Sequence, residues 1–268
     1  MQITFIQLLI FGIIVALATV FGGWILFPTG IHKQYRKFLK YLLALGAGFM
    51  LSVTLIEILP ETIKLWQNPE FVPQTDEVFY VPMLLLLGGY MLTQFFEHTI
   101  APHFHLGEEV HSDHLISTKS AYTAIGGLLI HAFFDGVSIS AASQVNSNVG
   151  ILMFIAIFLH KFPEGFTIAS MILAAGKGFK EVMFATSLVG LTTLIGVLGF
   201  YIIGMNLQNS VAYALPVAAG VTLYVAASDL IPEVNHHGGK NPLVSFSVFA
   251  GVALFFVLHL ALHGILEG

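Results

Sequence analysis

About eight apolar runs, each long enough to cross a lipid bilayer, constrain this chain more than any other feature. A helix needs about 20 apolar residues to cover a hydrocarbon layer of roughly 30 Å. The runs centre near Ile14, Gly48, Leu87, Ala132, Phe158, Thr192, Val221 and Ala253. Inside lipid every backbone polar group must be satisfied within its own segment, so such runs fold as helices. Only 9% of the 268 residues are charged, against about 25% in soluble domains. Most of the surface therefore faces something other than water. The expected fold is an all-α polytopic membrane protein built as a single transmembrane domain over residues 1–268. Helices 1–3 are expected over about 3–101, a histidine-rich loop over about 98–119, helices 4–5 over about 120–175 and helices 6–8 over about 181–266.

Breakers separate the runs: Phe27-Pro28-Thr29-Gly30, Asn68-Pro69, Ala174 to Gly178, and His237 to Pro242. The first run has no basic residue ahead of it and no small-residue cleavage site after it, and reads as a retained helix. Lys33, Arg36, Lys37, Lys40, Lys119, Lys177, Lys180 and Lys240 all fall on one side of the membrane, and only Lys64 lies in a loop on the other. The positive-inside rule then puts both termini on the non-cytoplasmic side of a plasma or inner membrane. No basic patch suggests nucleic acid. Without cysteine, any metal ligand must be imidazole or oxygen.

Two short stretches carry the chemistry. His131-Ala132-Phe133-Phe134-Asp135-Gly136 and His160-Lys161-Phe162-Pro163-Glu164-Gly165 each place a histidine and a carboxylate four residues apart, on one face of a helix. Each lies about halfway along a span, where ionisable groups are costly and are normally paired or functional. His131, Asp135, His160 and Glu164 together offer two imidazoles and two carboxylates. That set suits tetrahedral Zn²⁺ and tolerates Fe²⁺, Mn²⁺ or Cd²⁺. Pro163 cannot donate to Leu159 and is expected to kink the helix beside the site. Gly136 and Gly165 allow neighbouring helices to approach closely.

The chain also repeats itself. Ala47–Glu61 aligns without gaps to Ala219–Glu233, with Glu57 facing Asp229 and Pro60 facing Pro232. An odd number of crossings separates the two, so they run in opposite directions. The His131 and His160 stretches match likewise on consecutive antiparallel helices. Inverted repeats around a polar midplane site are characteristic of secondary transporters. The paired acids Glu57 and Glu61 at one mouth, and Asp229 and Glu233 with His236 and His237 at the other, are candidate pathway residues that would concentrate cations. Ser138 and Ser228 are weaker pathway candidates. His98, His103, His105, His111 and His114 form a candidate loop metal-binding cluster, and His259, His263 and Glu267 a surface one.

HAFFDG and HKFPEG on adjacent helices, with LPE and IPE endings on helices 2 and 7, resemble the ZIP family of divalent metal transporters. The resemblance covers nearly the whole chain and is sharpest in the HxxPEG pattern of helix 5. It implies a 3+2+3 bundle in which helices 1–3 and 6–8 are inverted copies flanking helices 4 and 5. It also implies import of Zn²⁺ or related cations into the cytoplasm without nucleotide hydrolysis. Binuclear family members carry Asn or Asp after one or both motif histidines and an acid inside helix 6. Here those neighbours are Ala132 and Lys161, and Val182–Asn206 holds no acid. Lys161 is thus a candidate surrogate for a second metal, leaving one midplane ion per protomer. The implied partners are divalent metal ions and the lipid bilayer, with a homodimer as a candidate assembly. The cation is a transported substrate; no catalytic cofactor is expected. The competing function is an intramembrane metal-dependent hydrolase, which would need an open coordination position; four ligands are already present and there is no HExxH.

Overall fold

A computed structural model describes residues 3–25, 32–68, 78–99, 118–206, 209–238 and 241–266. Among these residues there are eight helical rods and no strand. They are α1 (Phe5–Trp24), α2 (His32–Ser52, continuing through Val53–Ile58 to Leu59–Gln67), α3 (Tyr80–Thr99) and α4 (Thr118–Val145). The second half holds α5 (Ser147–Ala174), α6 (Phe179–Asn206), α7 (Ser210–Tyr224, continuing through Val225–Leu230 to Ile231–Gly238) and α8 (Pro242–Leu266). Seven of the eight are long and apolar enough to span a membrane. The exception, α3, has the length, but Gln94, Glu97 and His98 dilute its last turns. Ile6, Phe246, Phe249 and Leu260 stand exposed on the outside of the bundle, as lipid-facing side chains do. The protein is an all-α polytopic membrane protein.

The repeat read from the sequence reappears as geometry. Adding 172 to a residue number in α2 gives its counterpart in α7, and both helices widen into a π-helical stretch at matching positions, Val53–Ile58 and Val225–Leu230. The cause lies just beyond each stretch. Pro60 and Pro232 have no N–H, and their rings would strike the carbonyls of Ile56 and Ser228 in a regular α-helix. A wider turn relieves that clash. Its signature is the long-reach bond from Leu59 N–H to Thr54 O, mirrored by Ile231 N–H to Ala226 O. Glu57 and Asp229 occupy equivalent places in these turns.

Helix crossings obey the same symmetry. A Cβ added to Gly48 would fall on the Val248 carbonyl of α8, and one added to its counterpart Gly220 would fall on the Leu86 carbonyl of α3. Gly165 of α5 abuts the Thr19 carbonyl of α1, while Gly136 of α4 abuts the Thr193 carbonyl of α6. The α1–α5 and α4–α6 contacts thus correspond, as do α2–α8 and α3–α7. These bare-backbone crossings are the expected close approach beside the carboxylates, and they hold α4 and α5 between the two halves. Pro163, by contrast, leaves α5 a continuous α-helix.

Candidate metal site

His131, Asp135, His160 and Glu164 meet inside the bundle. One potential ligand atom from each lies within 4.8 Å of the others, and the four side chains are between 1% and 7% exposed. Four-residue spacing turns each His and its carboxylate to one side of their helix. The α4–α5 packing then turns those two sides toward each other. Asp135 Oδ2 is the centre: His131 Nε2 lies 3.1 Å away, His160 Nε2 3.2 Å and Lys161 Nζ 2.7 Å. His160 Nε2 stands 4.0 Å from Glu164 Oε2. The Lys161 ammonium is fully buried and also donates to Glu164 Oε2, bridging the two carboxylates.

The donor set fits a metal for two further reasons. His160 Nδ1 lies 3.3 Å from the Ala156 carbonyl. When that nitrogen carries the proton, the bond directs the Nε2 lone pair at the carboxylates, the arrangement by which ligating histidines are usually oriented. Meanwhile Asp135 Oδ1, Glu164 Oε1 and His131 Nδ1 are buried without a hydrogen-bond partner. Unsatisfied buried oxygens are costly, and a cation or water would satisfy them. Tetrahedral Zn²⁺ with bonds of about 2.0–2.2 Å spaces its ligands roughly 3.4 Å apart. The widest pairs, up to 4.8 Å apart, would have to close by about 1.4 Å to reach that spacing.

The remaining candidates are spread along the bundle. Glu57 is buried, and His259 Nδ1 of α8 lies 2.8 Å from its Oε2. Glu61 pairs with exposed Lys64 at 2.9 Å, as a helix-surface pair does. Asp229 is half-buried within reach of Glu97. Glu233 lies on the last turns of α7. Ser138 donates to the Phe134 carbonyl at 2.8 Å, which occupies it locally, and Ser228 meets Tyr90 Oη at 2.6 Å. His98 is exposed, with Nδ1 3.2 Å from the Gln94 carbonyl. His103, His105, His111, His114 and Glu267 lie outside the described residues.

Sequence reasoning passed over Glu97. It stands within reach of Tyr224 and Asp229 and lines a small cleft together with Thr93, Phe134 and the ligand candidate His131. Its place near the end of the third apolar run was the available signal. Lys161 stands between the two acids rather than turning away to the membrane surface.

Comparison with known proteins agrees with this architecture. The ZIP zinc transporter family model matches residues 105–259. The chain is 24% identical over 265 residues to zinc transporter ZIP9-B of Xenopus laevis, covering 85% of this chain and 86% of that protein. It is 34% identical over 121 residues to human zinc transporter ZIP10, covering 45% of this chain and 15% of that much longer protein. With both motif helices, α4 and α5, inside the matched region, the chain belongs to the ZIP family of zinc transporters.

Proposed function

We propose that the protein is a carrier that moves Zn²⁺, and chemically similar divalent cations, into the cytoplasm through one midplane site on α4 and α5. The observation that carries this reading is the buried convergence of two imidazoles and two carboxylates, with ligand atoms within 4.8 Å, on adjacent membrane-spanning helices. With neutral histidines, Asp135, Glu164 and Lys161 sum to a single negative charge. A divalent ion therefore meets a site that attracts it while one cation is already resident. In this reading Lys161 takes the place of a second ion and keeps the first from binding too tightly to leave. Glu57 and Glu61 collect cations at the non-cytoplasmic mouth, and Asp229 and Glu233 receive them at the cytoplasmic one. The loop histidines are a cytosolic acceptor.

The paired π-turns and the symmetric glycine crossings favour a carrier, because two inverted halves can exchange conformations about a fixed site. Uptake of radioactive Zn²⁺ into liposomes tests the proposal. It should saturate, be competed by Cd²⁺, Fe²⁺ or Mn²⁺, and fall to background in His131→Ala and Glu164→Ala variants. Non-saturating flux would indicate a channel. Metal-dependent lipid or peptide hydrolysis without uptake would indicate the hydrolase.

A further inference from the structure

The two imidazoles of the site are oriented by different means. On α5, His160 Nδ1 lies 3.3 Å from the carbonyl of Ala156, four residues back. On α4 the equivalent residue is Gly127, yet His131 Nδ1 is buried without a hydrogen-bond partner. The other ring nitrogen is committed, since Nε2 lies 3.1 Å from Asp135 Oδ2. Gly127 and His131 line a cleft between α3 and α4 whose walls also include Thr93, Glu97 and Phe134. Its volume of about 10 Å³ suits about one water molecule. Among the described residues lining it, Glu97 brings the one carboxyl group. Thr93 already donates its hydroxyl to the Gly89 carbonyl at 3.0 Å.

Glu97 is placed by the helix bundle. Gly89 of α3 abuts the Val217 carbonyl of α7, and Gly251 of α8 abuts the Leu45 carbonyl of α2. Adding 162 to a residue number in α3 therefore gives its counterpart in α8, and the counterpart of Glu97 is His259. The approach of Glu97 to Asp229 thus mirrors the approach of His259 to Glu57. Buried Tyr224 also reaches Glu97 from α7. The Tyr224 ring is set edge-on against Tyr90, with centroids 5.1 Å apart at 71°. A carboxyl group has two oxygens, so these partners leave it capacity to accept from the cleft whether it is ionised or protonated.

We propose that Glu97 is a positioning residue for the metal site: across one water in this cleft it accepts a hydrogen bond from His131 Nδ1–H and so aims the Nε2 lone pair at the ion. This rests on the proposed metal site and deepens it. A ligating imidazole usually gives its second N–H to a carboxylate, a carbonyl or water, which fixes both tautomer and ring angle. Helix α5 supplies that acceptor from its own backbone, whereas α4 finds it on α3. Nε2 must be bare to bind metal, so the tautomer with its proton on Nδ1 is the competent one, and Glu97 favours it. Helix α3 contributes no ligand to the four-residue set, yet it tunes one of the four bonds.

Titration calorimetry of Zn²⁺ binding to the full chain in detergent tests the role. Glu97→Ala should weaken binding about ten- to a hundredfold, the range for losing such a partner. Glu97→Gln keeps an acceptor oxygen and should stay within about threefold of the unmodified protein. His131→Asp keeps an oxygen ligand but has no Nδ1, so in that background Glu97→Ala should change affinity by less than about twofold. Tyr224→Phe keeps the ring and removes a hydroxyl that holds Glu97. It should cost about two- to fivefold, again only while His131 is present, and it carries the same comparison if Glu97→Ala does not elute as one species. An equal fall in Glu97→Gln and Glu97→Ala would mean that charge matters rather than the acceptor, and would overturn the proposal. So would a full Glu97→Ala effect in the His131→Asp background. Zn²⁺ binding indifferent to His131→Ala would count against the metal site itself, whereas His131-dependent binding indifferent to Glu97→Ala would count against the positioning role alone.

Discussion

Replacing Lys161 with methionine removes the ammonium and keeps a chain of similar length. The ammonium is fully buried, lies 2.7 Å from Asp135 Oδ2 and bridges to Glu164. Breaking a buried ion pair from one side typically costs about 3–5 kcal/mol, because the remaining charge is left uncompensated. Metal-free Lys161→Met protein should therefore melt well below the unmodified protein. Metal binding should change in the opposite sense. Two unit charges 4 Å apart interact by about 4 kcal/mol at an effective dielectric of 20. The resident ammonium thus opposes a divalent ion by several kcal/mol, partly relieved as the carboxylates shift. A tightening of at least about a hundredfold, or roughly 2.7 kcal/mol, is expected in titration calorimetry. Saturating Zn²⁺ should restore most of the lost thermal stability by mass action. Turnover in liposomes should fall, because an ion held that firmly leaves slowly. Two Zn²⁺ ions bound inside the unmodified protein, or an affinity unmoved by Lys161→Met, would refute the reasoning.

Asp135→Asn keeps the shape of the carboxylate on which both imidazoles and the ammonium converge but removes its charge; Zn²⁺ affinity should drop about a hundredfold or more, read by calorimetry. Gly165→Val places a branched side chain against the Thr19 carbonyl of α1, and detergent-solubilised protein should lose cooperative melting, whereas Gly126→Ala, with open space around it, should melt within a few degrees of the unmodified protein. Glu57→Gln removes the charge facing His259; half-saturation for uptake should rise severalfold while the bound-metal count stays at one. A count of zero for that variant would move Glu57 from the mouth into the site itself.

The all-helical membrane fold was legible because lipid leaves the backbone no alternative to helices at these lengths. The four candidate ligands were legible because a four-residue spacing needs only a helix to put both groups on one side. The π-turns before Pro60 and Pro232 were within reach of sequence, since the proline chemistry is local. Pro163 lies inside α5, which is α-helical from Ser147 to Ala174. Other features depend on neighbours that only packing supplies. Asp135 as the common partner of three cationic or imidazole groups requires the mutual rotation of α4 and α5. The Glu57–His259 approach joins residues about two hundred positions apart, and the Trp66–Ala212 bond spans 146. Periodicity along one helix determines which side chains share a face. Which face meets which depends on where bare glycine backbone lets helices touch, and that is settled by the whole bundle at once.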